Sequence, residues 1–195
     1  MTVAVSSRRG RSTAWWGMVM LITTEAMVFF ALLSSYFFVR AGAPHWPLGG
    51  IEKPPLDRIS FFTAVLLGST IPVVWAERGI RKGNVRQLQV GLLAGFLMGL
   101  AFVAHQFLLE WPELHFGWRD NAYGSLFYTI TGLHGLHVIA GLLMSVVVQA
   151  KAWTGRFDAE HHTTVEVFSL YWHFVDAVWV FVFSSLFLSV YWKFG

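Results

Sequence analysis

The sequence predicts an all-α membrane protein, a polytopic bundle of five transmembrane helices forming one domain over residues 1–195. Three observations predict it. Of 195 residues, 55% are hydrophobic and only 13% charged, and the mean hydropathy is +0.55, whereas a soluble domain is about one quarter charged. The apolar residues gather into runs of roughly 20, the length that crosses about 30 Å of hydrocarbon. The breaks between the runs have loop chemistry, rich in Gly, Pro, Asn, Asp and charge.

The first run, near residues 15–39, follows a short basic leader with the layout of an uncleaved first helix. Residues 42–47 and the pair Pro54-Pro55 end it. A second run near 59–76 stops at the charged stretch 77–84, and a third near 88–109 stops at Trp111-Pro112-Glu113. The fourth, near 124–150, is closed by residues 154–158, and the fifth runs near 165–192. There is no internal repeat and no low-complexity segment.

Charge orients the bundle. Nine basic residues (Arg8, Arg9, Arg11, Arg78, Arg81, Lys82, Arg86, Lys151, Arg156) fall on the side of the N-terminus, and five (Arg40, Lys53, Arg58, Arg119, Lys193) on the other. An excess of Lys and Arg marks cytoplasmic loops, so the N-terminus is expected inside and the C-terminus outside. Trp15, Trp16, Trp75, Trp111, Trp153 and Trp192 fall near span ends, where indoles settle at the headgroup level. The net charge of +3 comes without a clustered basic stripe, which argues against nucleic acid as a partner. The chain has no Cys, which excludes disulfides, iron–sulfur clusters and thiolate metal sites.

Gly91, Gly95 and Gly99 recur every four residues on the third helix. Small residues at that spacing let another backbone approach closely, so this helix is expected to be packed and central. Gly124, Gly132, Gly135 and Gly141 thin the fourth helix in the same way.

The chemistry lies in the ionisable residues inside the spans, which are costly in lipid and are normally turned inward and paired. Glu25 is about ten residues into the first helix, hence roughly 15 Å deep at 1.5 Å per residue. His134 and His137 are three apart on the fourth helix, and Glu166, His173 and Asp176 share a stripe on the fifth. His105 and Gln106 add polar atoms to the third. Several arrangements suit these residue types. Haem could take axial ligands from His105, His134, His137 and His173, although only the fourth helix carries two histidines and they are one turn apart. A metal ion could be held by His134, His137, His173 and Asp176. Alternatively, carboxylates and imidazoles pair with one another and hold the helices in register.

The run of residues 123–138, Tyr-Gly-Ser-Leu-Phe-Tyr-Thr-Ile-Thr-Gly-Leu-His-Gly-Leu-His-Val, followed by His161-His162 and by Glu166 to Trp172-His173-Phe174-Val175-Asp176-Ala177-Val178-Trp179, closely resembles subunit III of the haem-copper oxidases, the cytochrome c and quinol oxidases. The resemblance continues in residues 17–30 around Glu25, in Pro55 ahead of the second helix, and in Glu110-Trp111-Pro112-Glu113 leading to Asp120, in the family's order over nearly the whole chain. Longer members have seven helices, and this chain resembles a shorter, five-helix bacterial type.

That resemblance implies a non-catalytic subunit of a terminal oxidase in aerobic respiration, set in the bacterial cytoplasmic membrane. Such a subunit binds no haem, copper or other metal itself. It packs on subunit I with subunit II nearby and possible contact to other respiratory complexes, holds structural phospholipid in a cleft, and supports proton uptake and durability of the enzyme. The family's carbodiimide-reactive glutamate, buried near the proton-entry side, matches Glu25. The family's buried histidine and carboxylate motifs match His134, His137, Glu166, His173 and Asp176, and His161 and His162 would join them on the inner side. The resemblance departs in two places. A missing helix pair removes one wall of the lipid cleft, and Phe107 stands where the family often has a Gln three residues before the match to Glu110. Two other readings are carried alongside: a nitric-oxide-reductase-associated relative, and a free-standing membrane haem protein or carrier.

Overall fold

A computed structural model describes residues 11–51, 53–54 and 56–191. Arg8, Arg9, Pro55, Trp192 and Lys193, each used in the sequence reading, lie outside the described residues. Among the described residues there is no strand, and five helical spans are long and apolar enough to cross a membrane. The first is α1 (Thr13–Ala41). The second is α2 (Asp57–Gly68) continued by α3 (Thr70–Arg81). The third is α4 (Val85–His105), a π-helical turn (Gln106–Glu110) and α5 (Trp111–Glu113). The fourth is α6 (Ala122–Trp153), and the fifth is α7 (Thr163–Phe183) closed by a π-helical turn (Ser184–Leu188) and a 3₁₀ turn (Ser189–Tyr191).

The first, third and fourth spans start at side-chain caps. Ser12 accepts from the Trp15 N–H, Asn84 from Gln87 and Asn121 from Gly124, each satisfying a donor that the first helical turn leaves free. The second span reaches Arg81, past the expected end near residue 76, because the charged residues 77–81 keep helical geometry at the membrane surface. It ends at Gly83, whose φ of 76° is open to glycine at little cost, with Asn84 N–H bonding back to the Gly79 carbonyl and Gly83 N–H to that of Ile80. The third span likewise continues through the expected loop residues Trp111 to Glu113 and stops one residue past Pro112, whose ring takes an N–H out of the helical ladder.

Pro72 shapes the second span. It has no N–H to give the Gly68 carbonyl, and α2 and α3 part at Ser69. Two hydroxyls, Ser69 and Thr70, stand at that break and face the fifth span. Trp172 donates to Ser69 Oγ at 2.8 Å, Thr70 donates to Asp176, and Trp179 donates to Thr63 Oγ1 at 3.0 Å. At the N-terminal side the same two spans are joined by Arg81 and Glu166 at 3.1 Å. These contacts run in antiparallel register and fix how the second span lies on α7.

The glycines do what their spacing predicts. A Cβ on Gly91 would meet the Pro72 carbonyl at 2.5 Å, and one on Gly95 the Val73 methyl at 2.7 Å, so both receive the second span. Four residues advance an α-helix by about 40° beyond a full turn. By Gly99 the stripe has therefore rotated away, and a Cβ there would strike the Trp172 ring at 2.6 Å. The third helix is packed and central as expected, against the second and fourth spans and, at Gly99, the fifth; the fourth and fifth spans bury the largest share of their residues, and α1 buries least. α1 touches α6 and α7 along one stripe only.

Candidate functional site

The ionisable residues do not converge into one polar interior. They separate into pairs on different helix faces, because His134 and His137, or Glu166, His173 and Asp176, each lie tens of degrees apart around their helices.

The pair nearest mid-membrane joins α1 to α6. His137 Nε2 lies 3.3 Å from Glu25 Oε2, and His137 Nδ1 lies 2.8 Å from the Leu133 carbonyl oxygen. A carbonyl only accepts, so Nδ1 carries the hydrogen. Nε2 then either accepts from a protonated Glu25 or, as part of an imidazolium, donates to a carboxylate. The Phe29 ring packs edge-on to His137 at 5.2 Å, and Tyr171 OH donates to the His137 carbonyl at 3.1 Å, tying the same turn to α7. Glu25 was expected to be buried; its side chain is 36% exposed on this chain, because α1 presents only one stripe to the bundle.

His134, one turn away, is fully buried among rings. Trp179 lies 4.6 Å from it and Phe102 6.0 Å, and among the described residues neither ring nitrogen has a hydrogen-bond partner. Asp176 is buried and accepts from Thr70. Among the described residues His173 reaches only Ser169 of its own helix, at 3.4 Å. At the N-terminal side Glu166 lies between His162 at 3.4 Å and Arg81 at 3.1 Å, and Arg81 also holds Glu77 at 2.6 Å. His161 is exposed in the loop ahead of α7 and bonds Asp158 at 3.1 Å. That imidazole, followed by the backbone N–H groups of His161 and Glu160, holds the Asp158 carboxyl below its ordinary range.

Among the described residues no three or more His, Asp or Glu side chains are disposed to share a metal ion. The set His134, His137, His173 and Asp176 is dispersed: His137 faces Glu25, His173 faces Ser169, Asp176 faces Thr70, and His134 lies among rings. A cavity of about 640 Å³ opens at the other end of the bundle, lined by Gly49, Lys53, Glu113, His115, Asp120 and Asn121 among others, none of them in the pairs above.

Sequence reasoning missed Thr63, Ser69 and Thr70, the acceptors and donor that receive α7. The proline three residues after Ser69 was the available signal, since a broken helix exposes small hydroxyls to a neighbour. Tyr171 was visible as part of a motif, and its bond to the His137 carbonyl was not.

In comparisons with known proteins, the family described as Cytochrome c oxidase subunit III matches residues 7–194. A cytochrome c oxidase subunit 3 from the quail Coturnix japonica is 38% identical over 184 residues, covering 91% of this chain and 68% of that protein. The carp Cyprinus carpio has one that is 39% identical, with the same coverage of 91% and 68%. One from the brown alga Pylaiella littoralis is 36% identical, covering 90% of this chain and 65% of its own length. The chain thus spans about two thirds of the length of the curated relatives it matches.

Proposed function

The chain belongs to the cytochrome c oxidase subunit III family, and from that premise we propose that it is the non-catalytic third subunit of a haem-copper terminal oxidase in aerobic respiration. It packs on subunit I, with subunit II in the same complex, and the haem and copper that reduce oxygen reside in those partners. Its N-terminus faces the cytoplasm of a bacterial cell, in keeping with nine basic residues on that side against five on the other.

The observation that carries this reading is the Glu25–His137 pair, 3.3 Å apart on the two family motifs around residues 17–30 and 123–138. Its role is to hold a proton in a neutral environment beside a proton entrance that belongs to subunit I. The inner-side groups His161, His162 and Glu166 set the charge around that entrance, His173 adds to the polar core, and His134 and Asp176 hold helices in place. Among the described residues no ladder of acids and imidazoles crosses the bundle from one face to the other, in keeping with support of proton uptake in place of proton conduction. The exposed apolar stripe of α1, with Met20, Met27, Phe30 and Phe38, offers the surface for phospholipid and for the neighbouring subunit.

Mass spectrometry of the intact detergent-extracted complex tests the assignment: a large haem-bearing polypeptide and retained phospholipid should accompany this chain. Recovery with a nitric-oxide reductase, or a haem absorption band from the chain purified alone, would replace the reading. Within the complex, Glu25→Gln should leave the haem spectrum and electron transfer unchanged and weaken proton uptake under sustained turnover.

A further inference from the structure

At the end of the third span remote from the N-terminus lies a second polar group, separate from the Glu25–His137 pair. His105, Gln106 and Glu110 are each more than nine-tenths buried, at 2%, 2% and 8% exposure. His105 Nε2 and Glu110 Oε2 are 3.9 Å apart, beyond direct hydrogen-bond range. Among the described residues, both His105 ring nitrogens, Gln106 Oε1 and Glu110 Oε1 have no hydrogen-bond partner. Leaving such atoms bare is costly, and a cluster of them calls for a polar ligand.

Local geometry brings them together. In an α-helix, residues five apart are rotated by about 140°, which would put His105 and Glu110 on different faces. The π-helical turn closes an i to i+5 bond, from Trp111 N–H to the Gln106 carbonyl, and swings Glu110 round onto the face of His105. Phe62 of α2 stacks flat on the imidazole, 3.9 Å between ring centers at 17°, which fixes its plane and leaves the nitrogen edges free. Gln106 Nε2 donates to the Thr131 carbonyl of α6 at 3.4 Å, so its oxygen is held in place. The charged groups acting on the pair are Arg58 of α2 and Glu113 of α5, which bind each other at 2.6 Å on the exposed surface.

We propose that His105, Gln106 and Glu110 form a buried proton-binding site near the membrane side opposite the N-terminus, in which one proton and its bridging water are shared between imidazole and carboxylate. A proton entering from that side converts a neutral imidazole and a carboxylate, net charge −1, into a neutral pair; no other bond forms or breaks. Gln106 Oε1 accepts from the bridging water, and the exposed Arg58–Glu113 ion pair is the charge nearest the site. The site rests on this chain's own geometry and not on the oxidase reading.

Infrared titration of the full chain in its native membrane assembly, in H₂O and in D₂O, tests the proposal. A protonated-carboxyl band should grow as pH falls, shift in D₂O and be absent from Glu110→Gln. In His105→Gln its midpoint should move by about tenfold in proton concentration, and the surface variant Arg58→Gln should move it in the opposite sense to Glu113→Gln. Superimposable spectra from wild type and Glu110→Gln at every pH would overturn the site. Should Glu110→Gln fail to assemble, His105→Gln and Arg58→Gln decide: a carboxyl band that neither one displaces refutes it, as does a site holding water that does not titrate.

Discussion

Trp172 donates its indole N–H to the Ser69 hydroxyl at 2.8 Å from inside a slot whose walls are glycines. A Cβ on Gly99 would meet the ring at 2.6 Å and one on Gly141 at 2.8 Å, so the largest side chain in the sequence is seated by two of the smallest, on two other spans. Three of the five spans are locked at this one residue, and Ser69 brings in a fourth.

Filling the slot should therefore be costly. Gly99→Ala is expected to lower stability by about 1–3 kcal/mol, since the ring is held on both sides and cannot retreat. Gly17→Ala, where nothing lies within 4 Å of the new methyl, should leave stability unchanged. Thermal unfolding in detergent, followed by tryptophan fluorescence, compares the two. Equal midpoints would mean that the slot relaxes.

The same logic separates two glycines four residues apart. At Gly91 the obstruction is the Pro72 carbonyl, part of the backbone, whereas at Gly95 the nearest atom is a Val73 methyl that can rotate. Gly91→Ala should cost more than Gly95→Ala by about 1 kcal/mol or more. Unfolding midpoints of the two variants, measured side by side, give the order directly.

At the break in the second span, Asp176 accepts from Thr70 inside the bundle. Asp176→Asn keeps a carbonyl acceptor in place and should be close to neutral. Asp176→Leu leaves the Thr70 hydroxyl without its acceptor and should cost about 1–3 kcal/mol, a cost that Thr70→Val in the same chain should partly relieve. A double-mutant cycle on unfolding free energies measures that coupling.

These contacts mark what was legible beforehand. The five spans could be read because hydrocarbon thickness fixes their length, and Glu25 and His137 because an acid and an imidazole stand out against Leu, Val and Phe. Their partnership could not be read, since it depends on how α1 is rotated against α6, which packing decides. Glu77 to Arg81 looked like a loop because charge was weighed above helix propensity; the glycine at 83 was the better stop signal. Ser69 and Thr70 escaped notice because hydroxyls are common in apolar helices and become informative only once Pro72 is recognised as opening the helix beside them. The Glu110 side chain reaches His105 through a π-helical turn, and no periodicity of 3.6 residues foretells that.

Outside the membrane the loop before α7 should respond to acid. Asp158 is held below its ordinary range chiefly by the His161 imidazole. A carboxyl with a depressed folded value contributes stability that is present above its unfolded value, near 3.9, and lost as pH falls through the folded one. The loop should thus be unaffected between about pH 5 and 8 and loosen below about pH 4. Both partners are exposed, so the whole-chain unfolding midpoint should barely change. The sensitive readout is protease cleavage at residues 154–162: Asp158→Ala should be cut faster than wild type at pH 7, and the two rates should converge as pH approaches 3. Cleavage rates that differ equally at both pH values would show that the imidazole and backbone bonds to Asp158 do not hold this loop.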